Sequence, residues 1–222
     1  MTRGSPEREL YTEAEAARLL RVPQATLHYW LEGRVRDGHV YRPILRREPT
    51  ARTTVTWAEF VEAALLRQYR RELDVPMPEL RAFIDSLRDK LGVPYPLADR
   101  RPYVGVGREL VIEAQEEAGL GPGLFLVSVT RDQLVLTEAS QSFVDRVTWD
   151  GHVAIAYRPG DDPASPVRID PAVRYGRPAV AGVSTEVLRE HHEAGEEVSE
   201  IAAGFGVTEA DVRAALAFEG SL

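Results

Sequence analysis

Six arginines fall within residues 34–52: Arg34, Arg36, Arg42, Arg46, Arg47 and Arg52, against Asp37 and Glu48 alone. That local net of +4 sits on a chain of 222 residues with a net charge of −8. A local cluster of guanidinium groups, rather than the whole-chain balance, marks a surface able to hold phosphates. Just upstream stand Gln24, Thr26, His28 and Tyr29, with no acid between Glu15 and Glu32. Gln and Thr can hydrogen-bond base edges, and His and Tyr can reach bases or phosphates. Duplex nucleic acid is the partner this pairing of residue types implies.

Other chemistries lack their residues. The chain has no cysteine, so disulfides, thiolate metal sites and cysteine nucleophiles are excluded. Gly105-Val106-Gly107 lacks the third glycine of a dinucleotide loop, because Leu110 stands there; it reads as a turn. No Walker loop and no nucleophile elbow occur. His191 and His192 are adjacent, so on a helix they point about 100° apart and do not share a metal ion easily. We therefore expect no enzyme, no cofactor and no metal. No run of about 18 apolar residues occurs and the polar first ten residues do not read as a secretory signal; a cytoplasmic protein without a membrane span is expected.

The elements that must position these residues are legible in part. Residues 10–92 read as mostly helical. Thr12 and Glu15 have the spacing of a capping box, as do Thr56 and Glu59. Pro23 suits the start of a second helix, which carries Leu27, Trp30 and Leu31 and which Gly33 ends. Residues 34–55 lack a helical period and read as a basic hairpin or loop. Helices follow over 57–73 and to about residue 91, separated by Pro76 and Pro78. Between 102 and 158, apolar runs at 124–129 and 134–136 flank a turn at Arg131-Asp132. The stretch 143–157 around Asp150-Gly151 reads as a hairpin. A small antiparallel sheet is expected, with residues 109–118 open between strand and helix. Residues 159–166 read as a linker. Helices are expected at 184–193, 198–205 and 209–218, the last capped by Thr208.

One spacing occurs twice. A small residue on one helix, a turn four residues on, an apolar residue next, and two apolar residues facing back from a second helix define a helix-turn-helix. Ala17, Arg21, Val22, Leu27 and Trp30 follow it, and so do Ala202, Gly206, Val207, Val212 and Ala215. Arg21 stands where glycine is usual. The first copy is followed by the basic segment. The second copy is acidic, with Glu196, Glu197, Glu200, Glu209 and Asp211, and phosphates would be repelled there. Oligomerisation or partner binding suits it better.

Residues 10–33, the basic segment and the helix from Trp57 together resemble the winged helix-turn-helix of MerR-type regulators. That resemblance places Gln24, Thr26, His28 and Tyr29 on a recognition helix, and Arg42, Arg46 and Arg47 on a phosphate-contacting wing; Arg52 belongs to the same cluster. Residues 167–219 resemble a small C-terminal domain common among antitoxins of type II toxin–antitoxin modules. They do so through Ile169-Asp170-Pro171, Gly176-Arg177-Pro178, Gly182, Gly195, Ile201-Ala202, Phe205-Gly206-Val207 and Val212. The whole is similar to VapB-type antitoxins, which implies a PIN-domain ribonuclease toxin as partner and operator DNA as ligand. An arginine can pair bidentately with the carboxylates of such a toxin; Arg100, Arg101, Arg174 and Arg177 are the candidates.

The expected fold is thus α+β. A winged helix-turn-helix spans 1–96, a β-rich middle domain 97–160, and a three-helix, helix-turn-helix-like domain 161–222. The expected function is an antitoxin that neutralises a PIN-domain toxin and represses its own operon as a homodimer. Two alternatives are a stand-alone MerR-like regulator whose other half binds a ligand or dimerises, and an assembly module without DNA binding.

Overall fold

Thr12 begins the order of the N-terminal region. Its hydroxyl accepts the Glu15 N–H, while the Glu15 carboxylate accepts the Thr12 N–H, and this reciprocal cap starts α1 (Glu13–Leu20). The chain arrives along β1 (Glu9–Thr12), which pairs antiparallel with β4 (Thr54–Thr56). A second reciprocal cap, between Thr56 and Glu59, starts α3 (Trp57–Glu72) at the end of β4. Between these lie α2 (Gln24–Glu32) and a hairpin of β2 (Arg34–Arg36) and β3 (His39–Tyr41), in register Arg34↔Tyr41, Val35↔Val40 and Arg36↔His39. The computed structural model describes residues 5–72, 76–104, 107–121, 126–130, 133–160 and 162–222. The expected turn at Arg131-Asp132, residues 124–125 of the first apolar run, the end of the helix at 73 and Gly105-Val106 lie outside the described residues.

The chain forms two compact units. One comprises residues 6–145 and 149–154; the other comprises 1–5, 146–148 and 155–222. In the N-terminal unit Leu20, Leu27, Leu31 and Phe60 are buried, and the indole of Trp57 stacks on Phe60 with centroids 5.8 Å apart. Helix α4 (Met77–Leu91) ends at left-handed Gly92 and carries two arginines one heptad apart that hold the preceding chain. Arg88 is buried and donates to the carbonyls of Ile44, Leu45 and Pro94. At the surface Lys90, the one lysine in the sequence, joins α4 to Glu113 and Glu117 of α5 (Gly107–Glu117) at 3.2 and 2.9 Å.

The open stretch 109–118 is therefore helix. Val111, Ala114 and Gln115 are buried at helical spacing, and the Gln115 amide accepts the Leu126 and Val127 N–H groups and donates to the Val127 carbonyl. It acts as a side-chain strand for β5 (Val127–Thr130), which pairs with β6 (Gln133–Leu136). The hairpin expected over 143–157 needs correction at its start. Phe143 lies in α6 (Glu138–Val144), because Thr137 caps that helix by accepting the Ser140 N–H and buries Phe143 one turn on. The strands are β7 (Val147–Asp150) and β8 (Val153–Tyr157), turning at Gly151-His152.

In the C-terminal unit β9 (Ala179–Val180) and β10 (Val183–Ser184) flank a two-residue turn in which Ala181 and Gly182 both have positive φ. Helices α7 (Thr185–Glu193), α8 (Val198–Phe205) and α9 (Glu209–Glu219) follow, close to the expected bounds. They enclose Leu188, Ile201, Val212, Ala215 and Phe218. Thr208 and Asp211 form the cap of α9. Mixed helices and small antiparallel sheets make this an α+β protein.

Candidate functional site

The two five-residue patterns fold alike at the backbone. Arg21 is left-handed (φ 53°, ψ 47°), and the Val22 N–H donates to the Ala17 carbonyl at 3.0 Å. Gly206 is left-handed (φ 67°, ψ 32°), and the Val207 N–H donates to the Ala202 carbonyl at 3.0 Å. Ala17, Leu27 and Trp30 are buried, as are Ala202, Val212 and Ala215. The two copies differ in what they show to solvent: Gln24, Ala25 and His28 in the first, Glu209 and Arg213 in the second.

Helix α2 carries all four expected base-reading residues, two of them, His28 and Tyr29, with defined side-chain neighbours. Gln24 is exposed in its first turn and Thr26 half-buried beside it. His28 Nδ1 lies 3.0 Å from the Glu13 carboxylate. A carboxylate only accepts, so Nδ1 carries the proton and Nε2 is the nitrogen left for a ligand. Tyr29 is already engaged. Its hydroxyl accepts from Arg81 at 3.3 Å, and its ring lies under the Arg34 guanidinium, 4.6 Å from the ring centroid.

The base of the β2–β3 hairpin is pinned from two sides. The N–H groups of Ile44 and Leu45 donate to the Trp30 carbonyl at 2.8 and 3.0 Å. Arg81 donates to the carbonyls of Arg42 and Pro43 at 2.8 and 3.1 Å. Gly33 sits at the hairpin root, where a Cβ would lie 2.3 Å from the Tyr41 carbonyl oxygen. Beyond that root the hairpin is exposed: Val35 and Val40, a cross-strand pair, are 72% and 75% accessible.

The expected phosphate contacts separate into distinct environments. Arg46, expected on the wing, is buried, at 4% exposure. Its guanidinium donates to Glu59 at 2.7 and 3.1 Å, to Glu32, to the Thr50 hydroxyl at 2.8 Å and to the Thr54 carbonyl at 2.8 Å. Burial alone would push the Glu32 carboxyl up. The N–H groups of Ala51 and Thr50, the Thr50 hydroxyl and Arg46 outweigh it and hold that carboxyl below its ordinary range. Arg47 is exposed and pairs with Asp89 at 2.7 Å. Arg52 pairs with Glu9 and Glu59 at 3.4 and 3.6 Å. Arg42 is exposed and meets no carboxylate among the described residues.

The four expected partner-binding arginines fall in both units. Arg100 is exposed, with its backbone N–H on the His152 carbonyl. Arg101 is held bidentately by Asp99 at 2.9 and 2.8 Å. In the other unit Arg174 has a positive φ of 48° and donates to the Gly182 carbonyl, and Arg177 pairs with Glu186 at 3.1 Å. Between them Tyr175 is 78% exposed. Sequence reasoning placed Arg34 in the basic cluster without singling it out and passed over Arg81 and Glu13; all three turn out to be neighbours of the exposed face. Among the described residues no three His, Asp or Glu side chains come together as a metal ion would need. No described helix is long and apolar enough to cross a membrane.

Comparison with known proteins fits this architecture. Residues 167–218 match the family described as "Protein of unknown function (DUF433)". Over 210 residues the chain is 32% identical to "Uncharacterized protein Rv2308" of Mycobacterium tuberculosis, covering 91% of this chain and 86% of that one. Over 227 residues it is 30% identical to "Putative antitoxin VapB45" of the same organism, covering 93% and 92%. The crystal structure of Rv2018 from M. tuberculosis superposes with a TM-score of 0.76 at 28% identity, over 94% of this chain and 98% of that one. The fold and these matches make the chain similar to a protein described as a "putative antitoxin". The chain belongs to the family of Rv2308 and VapB45.

Proposed function

We propose that this protein is an antitoxin that binds and neutralises a PIN-domain ribonuclease and represses its own operon by binding operator DNA. The observation that carries the reading is the match to VapB45 over nine-tenths of both chains. In this reading α1, the left-handed turn at Arg21 and α2 form a helix-turn-helix, and the β2–β3 hairpin is its wing. Gln24, Thr26 and His28 face the groove. The exposed, acid-free face of α2 and the basic hairpin beside it support this assignment. The α8–α9 pair keeps the same turn under an acidic surface and serves assembly or toxin binding, because phosphates would be repelled there. The protein acts by binding, catalyses no reaction and works in the cytoplasm. A homodimer supplies two half-sites, since one unit of this size reads only a few base pairs.

The test uses the full chain, tagged and recovered from its native host with and without nuclease treatment. The expected result is a stoichiometric nuclease-like protein that survives the treatment, together with operator DNA in the untreated half. DNA without such a partner overturns the antitoxin reading in favour of a stand-alone regulator. A protein partner without DNA removes the operator half.

A further inference from the structure

Of the six arginines in the basic segment, four spend their guanidinium on carboxylates. Arg46 is buried against Glu59 and Glu32, Arg47 meets Asp89, Arg52 meets Glu9 and Glu59, and Arg36 lies 3.4 Å from its neighbour Asp37. Each of these would have to give up an ion pair to take a phosphate. Arg34 is held differently. Its guanidinium carbon lies 4.6 Å from the ring centroid of Tyr29 and 5.4 Å from that of Tyr41, and among the described residues it has no carboxylate partner.

The difference is geometric. A guanidinium packed against aromatic rings uses the face of its plane, through the attraction of a cation for the ring quadrupole. Its five N–H donors lie in the plane and stay available at the edge. Ring contact therefore orients Arg34 without neutralising it, whereas a carboxylate orients and neutralises together. Both rings are themselves fixed. Tyr41 stands directly opposite Arg34 in the hairpin ladder, so the two share a face. Tyr29 projects from α2 and is tied through its hydroxyl to Arg81, which in turn grips the Arg42 and Pro43 carbonyls.

We infer that Arg34, held against Tyr29 and Tyr41, is a phosphate-binding residue of the hairpin, and that its ligand is a phosphodiester of duplex DNA. Its in-plane fork matches a phosphate bidentately. This rests on the DNA-binding reading above and narrows it. Arg46, Arg47 and Arg52 drop from the interface, and Tyr29 becomes a positioning residue rather than a base reader.

The experiment measures binding of the full chain to a labelled random-sequence duplex across a salt series. Arg34→Ala is compared with Arg34→Lys, Tyr41→Leu and Arg47→Ala; all three positions lie on the surface, so folding is preserved. Loss of one phosphate contact lowers the log–log salt slope by about 0.9 per bound protomer and weakens binding about eightfold at 0.1 M salt. Arg34→Ala should show both effects, and Arg47→Ala neither. Arg34→Lys should keep the slope yet bind more weakly, because an ammonium offers no planar fork. Tyr41→Leu should weaken binding with the charge intact. If Arg34→Ala follows the wild-type line, or Arg47→Ala falls as far, the assignment is overturned while DNA binding stands. If the wild-type chain shows no salt-dependent binding to any duplex, the DNA-binding reading itself fails.

Discussion

Replacing Arg46 by alanine should cost far more than a surface arginine would. The side chain is nearly sealed from water and Glu59 is fully buried. Removing the guanidinium deletes two hydrogen bonds to Glu59, one to Glu32, one to Thr50 and one to the Thr54 carbonyl. It leaves carboxylates in a poorly solvated site without a counter-ion. Breaking a buried pair from one side costs about 3–5 kcal/mol, whereas an exposed pair such as Arg47–Asp89 is screened by solvent and contributes little. Urea unfolding followed by tryptophan fluorescence separates the two cases. Trp30, Trp57 and Trp149 all belong to the N-terminal unit, so the signal reports that unit alone. With a urea slope of about 2 kcal/mol per molar, Arg46→Ala should lower the midpoint by roughly 2 M, and Arg47→Ala should barely move it. The gap should narrow in acid. Glu32 has a depressed pKa, so its stabilisation is present above the ordinary glutamate range and is lost as pH falls through the folded-state value. A loss below about 1 kcal/mol for Arg46→Ala would refute the reasoning, and would return that arginine to the pool of phosphate contacts.

Two further outcomes are expected. Gly206→Ala puts a Cβ into open space, so only the left-handed backbone is charged. The αL cost of about 1–2 kcal/mol, less the unfolded-state gain of about 0.4–1 kcal/mol, gives a net loss of about 1 kcal/mol. Circular dichroism reads it, since the C-terminal unit has no tryptophan, and an unchanged midpoint would mean the turn is not held left-handed. Glu62 is fully buried; burial pushes its carboxyl up to about 7, against the pull of Arg88 and the Leu97 N–H. A raised carboxyl pKa gives stability that is present below the ordinary value and lost as pH rises through about 7. The N-terminal unit should therefore weaken between acid and alkaline buffer by at most about 3 kcal/mol. Glu62→Gln should remove that slope, and an equally steep slope in the variant would assign it to another group.

What the sequence disclosed was local. The caps at Thr12, Thr56 and Thr208 need partners three residues away, so they could be read directly. The repeated offsets of the two helix pairs were equally visible, because each lies within one short window. The fate of Arg46 was not, since Glu32 and Glu59 lie 14 and 13 residues off in opposite directions and only the fold brings them together. The same holds for Arg34, whose two rings come from a helix before it and a strand after it, and for Arg81, which reaches back 52 residues to Tyr29. Phe143 was assigned to a strand because its apolar neighbours resemble one, while the Thr137 cap that makes it helical lies outside that run. Helix α5 stayed open because its buried face includes Gln115, a polar residue whose hydrogen bonds to β5 cannot be seen from composition.

Lys90 has a consequence for how this protein could be tagged. It is the only side-chain amine in a sequence that otherwise carries its positive charge on arginine. Hydrogen bonds that it donates to Glu117 and Glu113 hold its ammonium protonated beyond the usual range, which makes it a poor nucleophile until that bridge opens. Any acylating reagent or lysine-directed conjugating enzyme thus has one side-chain address, reached when that bridge opens. Attaching an acyl group there removes the charge that closes it. Labelling would select for molecules whose bridge is open and then keep it open.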